Sequence, residues 1–274
     1  MSDWKWKTRD GIELFSRSWE SPKEAKAVIC LIHGLGEHTG RYDHVGKALS
    51  EGGFELHGFD LRGHGRSQGP LGHTPSYQSL MDDITDFLEL LDDRCSGKPV
   101  FLYGHSLGAN LVINHIIREK PTIQGGIATD PWLELNFQPP AIKVMLARVM
   151  NAVLPGFAQS NELDTSALSR DPAIEQAYVS DPLVHDRISA RLFLETYQAG
   201  LWAMDNASNF PLPLLLMHGT ADRICSIDAS RLFVEQNPGQ VDGVFLDGWY
   251  HEVHNEPGSD QVFSRMIQWL DEKL

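Results

Sequence analysis

Val100-Phe101-Leu102-Tyr103-Gly104-His105-Ser106-Leu107-Gly108-Ala109-Asn110-Leu111-Val112-Ile113 is the stretch on which the reading of this chain turns. It opens with an apolar run of strand length and ends in residues that favour a helix, so the chain must pass from strand to helix within residues 104–108. A turn that sharp tolerates only small residues on either side of the serine. It lifts the Ser106 Oγ above the strand end, where the positive end of the following helix faces it. The pattern G-x-S-x-G is weak by itself, because Gly65-Arg66-Ser67-Gln68-Gly69 fits it too. Context separates the two: Ser67 is followed by Gly69, Pro70 and Gly72, a loop composition with no helix former behind it. Ser106 is therefore the candidate nucleophile.

Outward from that turn, short apolar runs alternate with stretches of helical period. Strands are expected at residues 25–32, 54–59, 100–103, 123–128, 214–217 and 241–246, and helices at 42–51, 77–91, 107–117, 229–236 and 260–272. The alternation predicts an α/β fold, a mostly parallel central sheet flanked by helices. Between residues 131 and 209 it stops. There Ile142, Met145, Leu146, Val149, Met150, Val153 and Leu154 recur at helical spacing, with Lys143, Arg148 and Asn151 on the other side. Further helical segments are expected at 173–179 and 188–203. This stretch is read as a helical cap (131–209) inserted into a core formed by 1–130 and 210–274. Packing onto the core is the plain reading of its apolar stripe; the alternative is a lipophilic entrance, or a face resting peripherally on a membrane surface.

Composition sets outer limits. The chain has 274 residues, 37 acidic against 23 basic, and a formal net charge of -14. An acidic balance of this size excludes nucleic acid as the main partner, because phosphate binding needs a basic face. The first residues lack the apolar core of a signal peptide, and no stretch approaches the ~18 apolar residues of a membrane span. Cys30, Cys95 and Cys225 are odd in number and share no metal-ligand spacing, which argues against a disulfide framework. A cytoplasmic protein is expected. Oligomeric state is not encoded in these patterns.

A serine hydroxyl needs a base to take its proton and an acid to orient that base. On an α/β sheet these partners follow in the order Ser, Asp or Glu, His. The strand at 214–217 runs into His218-Gly219-Thr220-Ala221-Asp222, which puts Asp222 at a strand end; Asp228 and Asp247 compete, but Asp228 falls at a helix start and is read as a cap. Trp249-Tyr250-His251-Glu252-Val253-His254 follows the last strand, with His251 nearest to it and His254 a neighbouring or surface group. A zinc site is excluded, since H-E-x-H lacks the i, i+4 spacing that puts both imidazoles on one helix face. For the oxyanion, the backbone N–H of Leu107 follows the nucleophile, and the turn His33-Gly34-Leu35-Gly36 offers Leu35. No cofactor and no metal are expected.

At this point the chain resembles the monoacylglycerol lipase and lysophospholipase group of the α/β-hydrolase superfamily. The resemblance rests on His33-Gly34-Leu35-Gly36-Glu37-His38 with Gly40-Arg41-Tyr42, on Asp60 to Ser67, and on Gly104 to Gly108. It continues through Ser180-Asp181-Pro182-Leu183, Gly219 to Cys225 and Tyr250 to His254, so it spans nearly the whole chain. It implies a capped serine esterase acting on single-chain lipid esters without a cofactor. By the same resemblance Ser106, Asp222 and His251 match the triad and Leu35 and Leu107 the oxyanion positions. Glu37, Arg41, Tyr178 and His254 match polar positions around a glycerol head group, and Cys225 looks like a thiol near that pocket. Glu37 and Arg41 have an alternative, pairing with each other behind the oxyanion turn. The rival functions are a general carboxylesterase or prolyl aminopeptidase on the same scaffold, and a non-catalytic binding protein that kept the fold.

Overall fold

The computed structural model describes residues 1–95, 97–137 and 139–274. It opens with an antiparallel pair that the sequence reading missed, β1 (Ser2–Lys7) and β2 (Glu13–Trp19). Trp4-Lys5-Trp6-Lys7 alternates with the period of a strand, and both tryptophans meet the ring of Phe87. There follow β3 (Val28–Ile32), α1 (Asp43–Glu51), β4 (Glu55–Phe59), α2 (Tyr77–Cys95), β5 (Val100–His105), α3 (Leu107–Glu119) and β6 (Gly125–Thr129). An insertion then carries α4 (Ala141–Val153), β7 (Ala158–Ser160), α5 (Pro172–Ser180), β8 (Arg187–Ser189) and α6 (Ala190–Asp205). The chain returns through β9 (Leu214–Gly219), α7 (Ile227–Glu235), β10 (Val241–Leu246) and α8 (Asp260–Glu272).

Eight strands form one sheet in the order β1-β2-β4-β3-β5-β6-β9-β10, and from β4 to β10 every pairing is parallel. The reason the central strands read as unbroken apolar runs is visible in β3. Val28, Cys30 and Ile32 face a core shared with Leu80 and Ile84 of α2, while Ile29 and Leu31 face Val45 and Leu49 of α1 and Met266 and Trp269 of α8. Helices on both faces leave no room for alternation.

Within the insertion, α6 is seated on α3: the Asn110 and Asn114 amides donate to the carbonyls of Thr196 and Ala199 at 3.3 and 3.2 Å. The expected single helix over 188–203 is corrected. Its first residues belong to β8, and Ser189 caps α6 by accepting from Leu192 N–H. The core-packing reading of the apolar stripe is corrected too. Because α6 already covers α3, α4 packs against α6, where Arg191 Nε donates to Asn151 Oδ1 at 3.0 Å. Val144, Ala147 and Met150 are half-buried on that side. Ile142, Met145, Leu146, Val149 and Val153 face outward, Ile142 65% and Val153 68% exposed. Among the described residues no helix is long and apolar enough to cross a membrane.

Candidate active site

Ser106 stands between β5 and α3 with φ 53°, a left-handed conformation that L-residues adopt only when their surroundings enforce it. Its flanking glycines supply the enforcement. A Cβ on Gly104 would collide with the Gly108 carbonyl, and one on Gly108 with the Ile32 carbonyl, so the elbow closes only with hydrogen at both positions. Ser67, the competing match, instead spends its hydroxyl on the Asp60 carbonyl and accepts from Phe15 N–H, a loop fastening.

Asp222 follows β9, and its carboxylate accepts four N–H groups. Oδ1 takes those of Ile224 and Cys225 at 2.7 and 3.1 Å; Oδ2 takes His251 Nδ1 at 2.8 Å and His218 Nε2 at 3.0 Å. Burial pushes this carboxyl up, but the charge of His251 and the imidazole N–H bonds outweigh it and hold Asp222 well below the usual carboxylate range. Reciprocally, burial lowers His251, yet Asp222 leaves it above the ordinary imidazole value. Asp228 is exposed in the first turn of α7, whose cap is Ser226, and Asp247 is exposed and bonded to Thr220. Asp222 is thus the carboxylate that reaches His251.

Ser106 and His251 line one cavity of about 310 Å³ together with Gly34 and Leu35. Among the described residues no acceptor takes the N–H of Leu35 or of Leu107. The turn that carries Leu35 is fixed from both sides. Glu37 Oε1 accepts Gly34 N–H at 2.6 Å, and the Gly36 carbonyl accepts His185 N–H at 2.9 Å. A Cβ on Gly36 would strike the His185 carbonyl, and its φ of 77° suits glycine. The rest of the cavity wall is largely apolar, with Trp132, Leu135, Leu168, Ile188, Phe193 and Ile224. Cys225 also lines it, and burial keeps its thiol protonated.

The four expected head-group residues divide. Glu37 and Tyr178 line the cavity. Arg41 does not: its guanidinium donates to Glu37 Oε2 at 2.7 Å and, in a bidentate pair, to Glu252 Oε1 and Oε2 at 2.6 and 2.8 Å, with the Tyr178 ring 4.7 Å away. Burial pushes both carboxyls up; the bidentate Arg41 pulls Glu252 back below its ordinary value, while Glu37 stays above its own. The expectation that His254 meets the head group needs correction. It is fully buried, stacked on Tyr42 at 4.8 Å and edge-on to His105 at 4.7 Å, and does not line the cavity. Burial holds it neutral.

Sequence reasoning missed Glu252 and His218: Glu252 directly follows His251, and His218 is the penultimate residue of β9, four positions before Asp222, so the strand-end signal that found Asp222 could have found it. Two groups of potential metal ligands share Asp222, one with Cys225 and His251, the other with Asp130 and His218. In each, Asp222 already accepts imidazole N–H bonds. A third group, Glu55, His57 and Cys95, lies apart from the cavity.

Fold and site together define an α/β-hydrolase: a serine on a strained elbow after a central parallel strand, an acid and a histidine after the last two strands, and helices on both faces. More narrowly, the chain belongs to the serine aminopeptidase S33 family, which matches residues 23–258. It is 33% identical over 270 residues to an uncharacterized abhydrolase domain-containing protein of Dictyostelium discoideum, a match covering 97% of this chain but 28% of that protein. It is 30% identical over 271 residues to the monoglyceride lipase of Rattus norvegicus, covering 97% of this chain and 89% of the relative. The crystal structure of Paleococcus ferrophilus monoacylglycerol lipase superposes with a TM-score of 0.88 at 35% identity, over 95% of this chain and 99% of that one.

Proposed function

We propose that this chain hydrolyses the carboxylic ester of a single-chain lipid, a monoacylglycerol first and a lysophospholipid second, through an acyl-Ser106 intermediate. The observation that carries the reading is one apolar cavity holding Ser106, a His251 oriented by Asp222, and the Leu35–Gly34 turn. His251 takes the Ser106 proton as Oγ attacks the ester carbonyl. The developing oxyanion is received by the Leu35 and Leu107 N–H groups. As the tetrahedral adduct collapses, His251 returns the proton to the departing alcohol; water, deprotonated by the same imidazole, then releases the fatty acid and restores Ser106. The names of the rat relative and of the Paleococcus ferrophilus structure support the substrate class.

The family's aminopeptidase description raises a peptide alternative. At the polar end of the cavity an N-terminal ammonium would have to compete with Arg41 for both buried carboxylates: Glu37 also accepts Gly34 N–H and Tyr42 O–H, and Glu252 also accepts Asn255. In our reading residues 131–209 form a cap over a core of 1–130 and 210–274, and the outward apolar face of α4 rests on the lipid surface that supplies substrate. All three thiols are unpaired and buried, which suits a reducing cytoplasm.

The test is a panel of monoacylglycerols, lysophospholipids, short aryl esters and prolyl amides, with released acid or amine measured. Monoacylglycerols are expected to lead. Ser106→Ala is expected to lower kcat by about 10³-fold or more. Wild-type turnover in that variant would sink the mechanism, and preference for the prolyl amide would sink the substrate class.

A further inference from the structure

We propose that His218 is a positioning residue for the Asp222–His251 pair, donating its Nε2–H to the same carboxylate oxygen that receives the His251 N–H and sharing that oxygen's charge. The inference rests on the triad reading above.

Three features carry it. First, the two imidazoles converge on Asp222 Oδ2, His251 at 2.8 Å and His218 at 3.0 Å. Second, the far side of His218 is fixed: its Nδ1 lies 2.8 Å from the Ser230 hydroxyl of α7, and both residues are fully buried. A serine O–H donated to Nδ1 selects the tautomer with the proton on Nε2, the one able to donate to Asp222. Third, the Ile224 and Cys225 N–H groups occupy Oδ1, so Asp222 is saturated and cannot rotate about its χ2 without losing a bond.

The surrounding charges leave Asp222 as the anion both rings face. Asp130 Oδ1 lies 4.0 Å from His218 Nε2, beyond hydrogen-bonding distance, and burial and the charge of Asp222 push its carboxyl well above the usual range. Beside His251 are His105, itself neutral through burial, the Cys225 thiol, Ser106, and Glu252 and Glu37, both tied to Arg41. The His218 N–H therefore draws charge from the oxygen that stabilises the His251 imidazolium. Removing it leaves more charge for His251, whose proton is then held to higher pH.

The experiment compares His218→Phe, His218→Gln, Ser230→Ala and Asp222→Asn by the pH dependence of kcat/KM on a soluble neutral ester, with thermal unfolding as the check on folding. Phe removes the donor. Its acidic limb is expected to move up by about 0.5–1 pH unit. The Gln side-chain amide reaches about where Nε2 stood, and should keep the limb near the wild-type position. Ser230→Ala frees the tautomer and should move the limb in the same direction by less. An unmoved limb in folded His218→Phe, or equal movement in His218→Phe and His218→Gln, overturns the proposal. Should His218→Phe not fold, an unmoved limb in Ser230→Ala overturns it. Asp222→Asn is expected to lose about 10⁴-fold in kcat. If it retains wild-type activity, the triad reading itself fails, an outcome separate from a failure at His218.

Discussion

Replacing Arg41 by methionine isolates the clamp behind the turn that carries Leu35. Methionine keeps an unbranched stem but removes the guanidinium that bonds Glu37 once and Glu252 twice. The three side chains are 9%, 3% and 2% exposed, so water cannot take the place of the lost partner. Breaking a buried ion pair from one side costs about 3–5 kcal/mol, because an uncompensated charge remains. Here two carboxylates are abandoned, which argues for the upper part of that range. The deficit must depend on pH. In the native protein Glu252 lies below its ordinary value of 4.5, so its contribution is present above 4.5 and vanishes only as pH falls through the lower folded value. Without Arg41 both carboxyls lie above their unfolded values, so the variant loses stability as pH rises through them. The gap between the two proteins should be widest near pH 8 and narrowest near pH 5. Urea unfolding at both pH values measures it. At ~2–4 °C per kcal/mol the melting temperature at pH 8 falls by about 8–20 °C. A deficit under about 1 kcal/mol, or one equal at both pH values, would refute the claim that a desolvated pair holds this turn.

Three further outcomes follow from the site. His251 is held above 6.5 by Asp222 and acts as a base only when neutral, so kcat/KM on a neutral ester should rise with pH along a limb centred above 6.5; a limb below that value contradicts the assignment. Gly108→Ala places a methyl on the Ile32 carbonyl, so a lower melting temperature and loss of fluorophosphonate labelling at Ser106 are expected, and a stable, fully labelled variant refutes the elbow argument. Exchanging Met145, Leu146 and Val149 for glutamine changes only exposed positions and should shift stability by no more than about 0.5 kcal/mol per site. The same variant should lose activity on monoacylglycerol in vesicles while keeping it on a soluble ester, and equal loss on both refutes a role for α4 at a lipid surface.

What the sequence disclosed, and what it withheld, follows from the range of the forces involved. β5 and α3 were legible because strand, elbow and helix are contiguous, and the glycines that make the elbow possible are inside the motif. Asp222 was separable from Asp228 because strand ends and helix starts have different local signatures. β1 and β2 were missed although Trp4 and Trp6 alternate, since their partner Phe87 is some eighty residues away and the run is half charged. The stripe on α4 carried the right period, but periodicity reports a face and not what covers it; α6 had already taken the surface of α3. Arg41 shows the same limit. Its i, i+4 partner Glu37 was foreseeable, whereas Glu252, which takes both guanidinium nitrogens, lies on another loop. His254 was given a substrate-facing role by its motif, and only the packing of Tyr42 and His105 around it removes it from the cavity.

Leu35, Ser106, Asp222 and His251 stand on separate loops, after β3, β5, β9 and β10, and regular hydrogen bonding ends where those loops begin. Precision in the site must therefore come from elsewhere, and the structure supplies it in two ways. Buried ionisable groups cross-link the loops: Arg41 joins Glu37 at the Gly34–Gly36 turn to Glu252 beside His251, while Asp130 accepts Gly219 N–H at 2.9 Å at the end of β9. The insertion binds the same loops by main-chain contacts. Ala167 and Leu168 carbonyls accept the N–H groups of His251 and Glu252 at 3.3 and 2.8 Å, the Ile224 carbonyl accepts Asn136 N–H at 2.9 Å, and His185 N–H holds Gly36. A segment that only covered the cavity would have no need to bond the backbone of His251, of the loop after Asp222 and of the Gly34–Gly36 turn. The insertion is thus part of what sets the geometry at Ser106, and substitutions within it will alter catalysis as well as access.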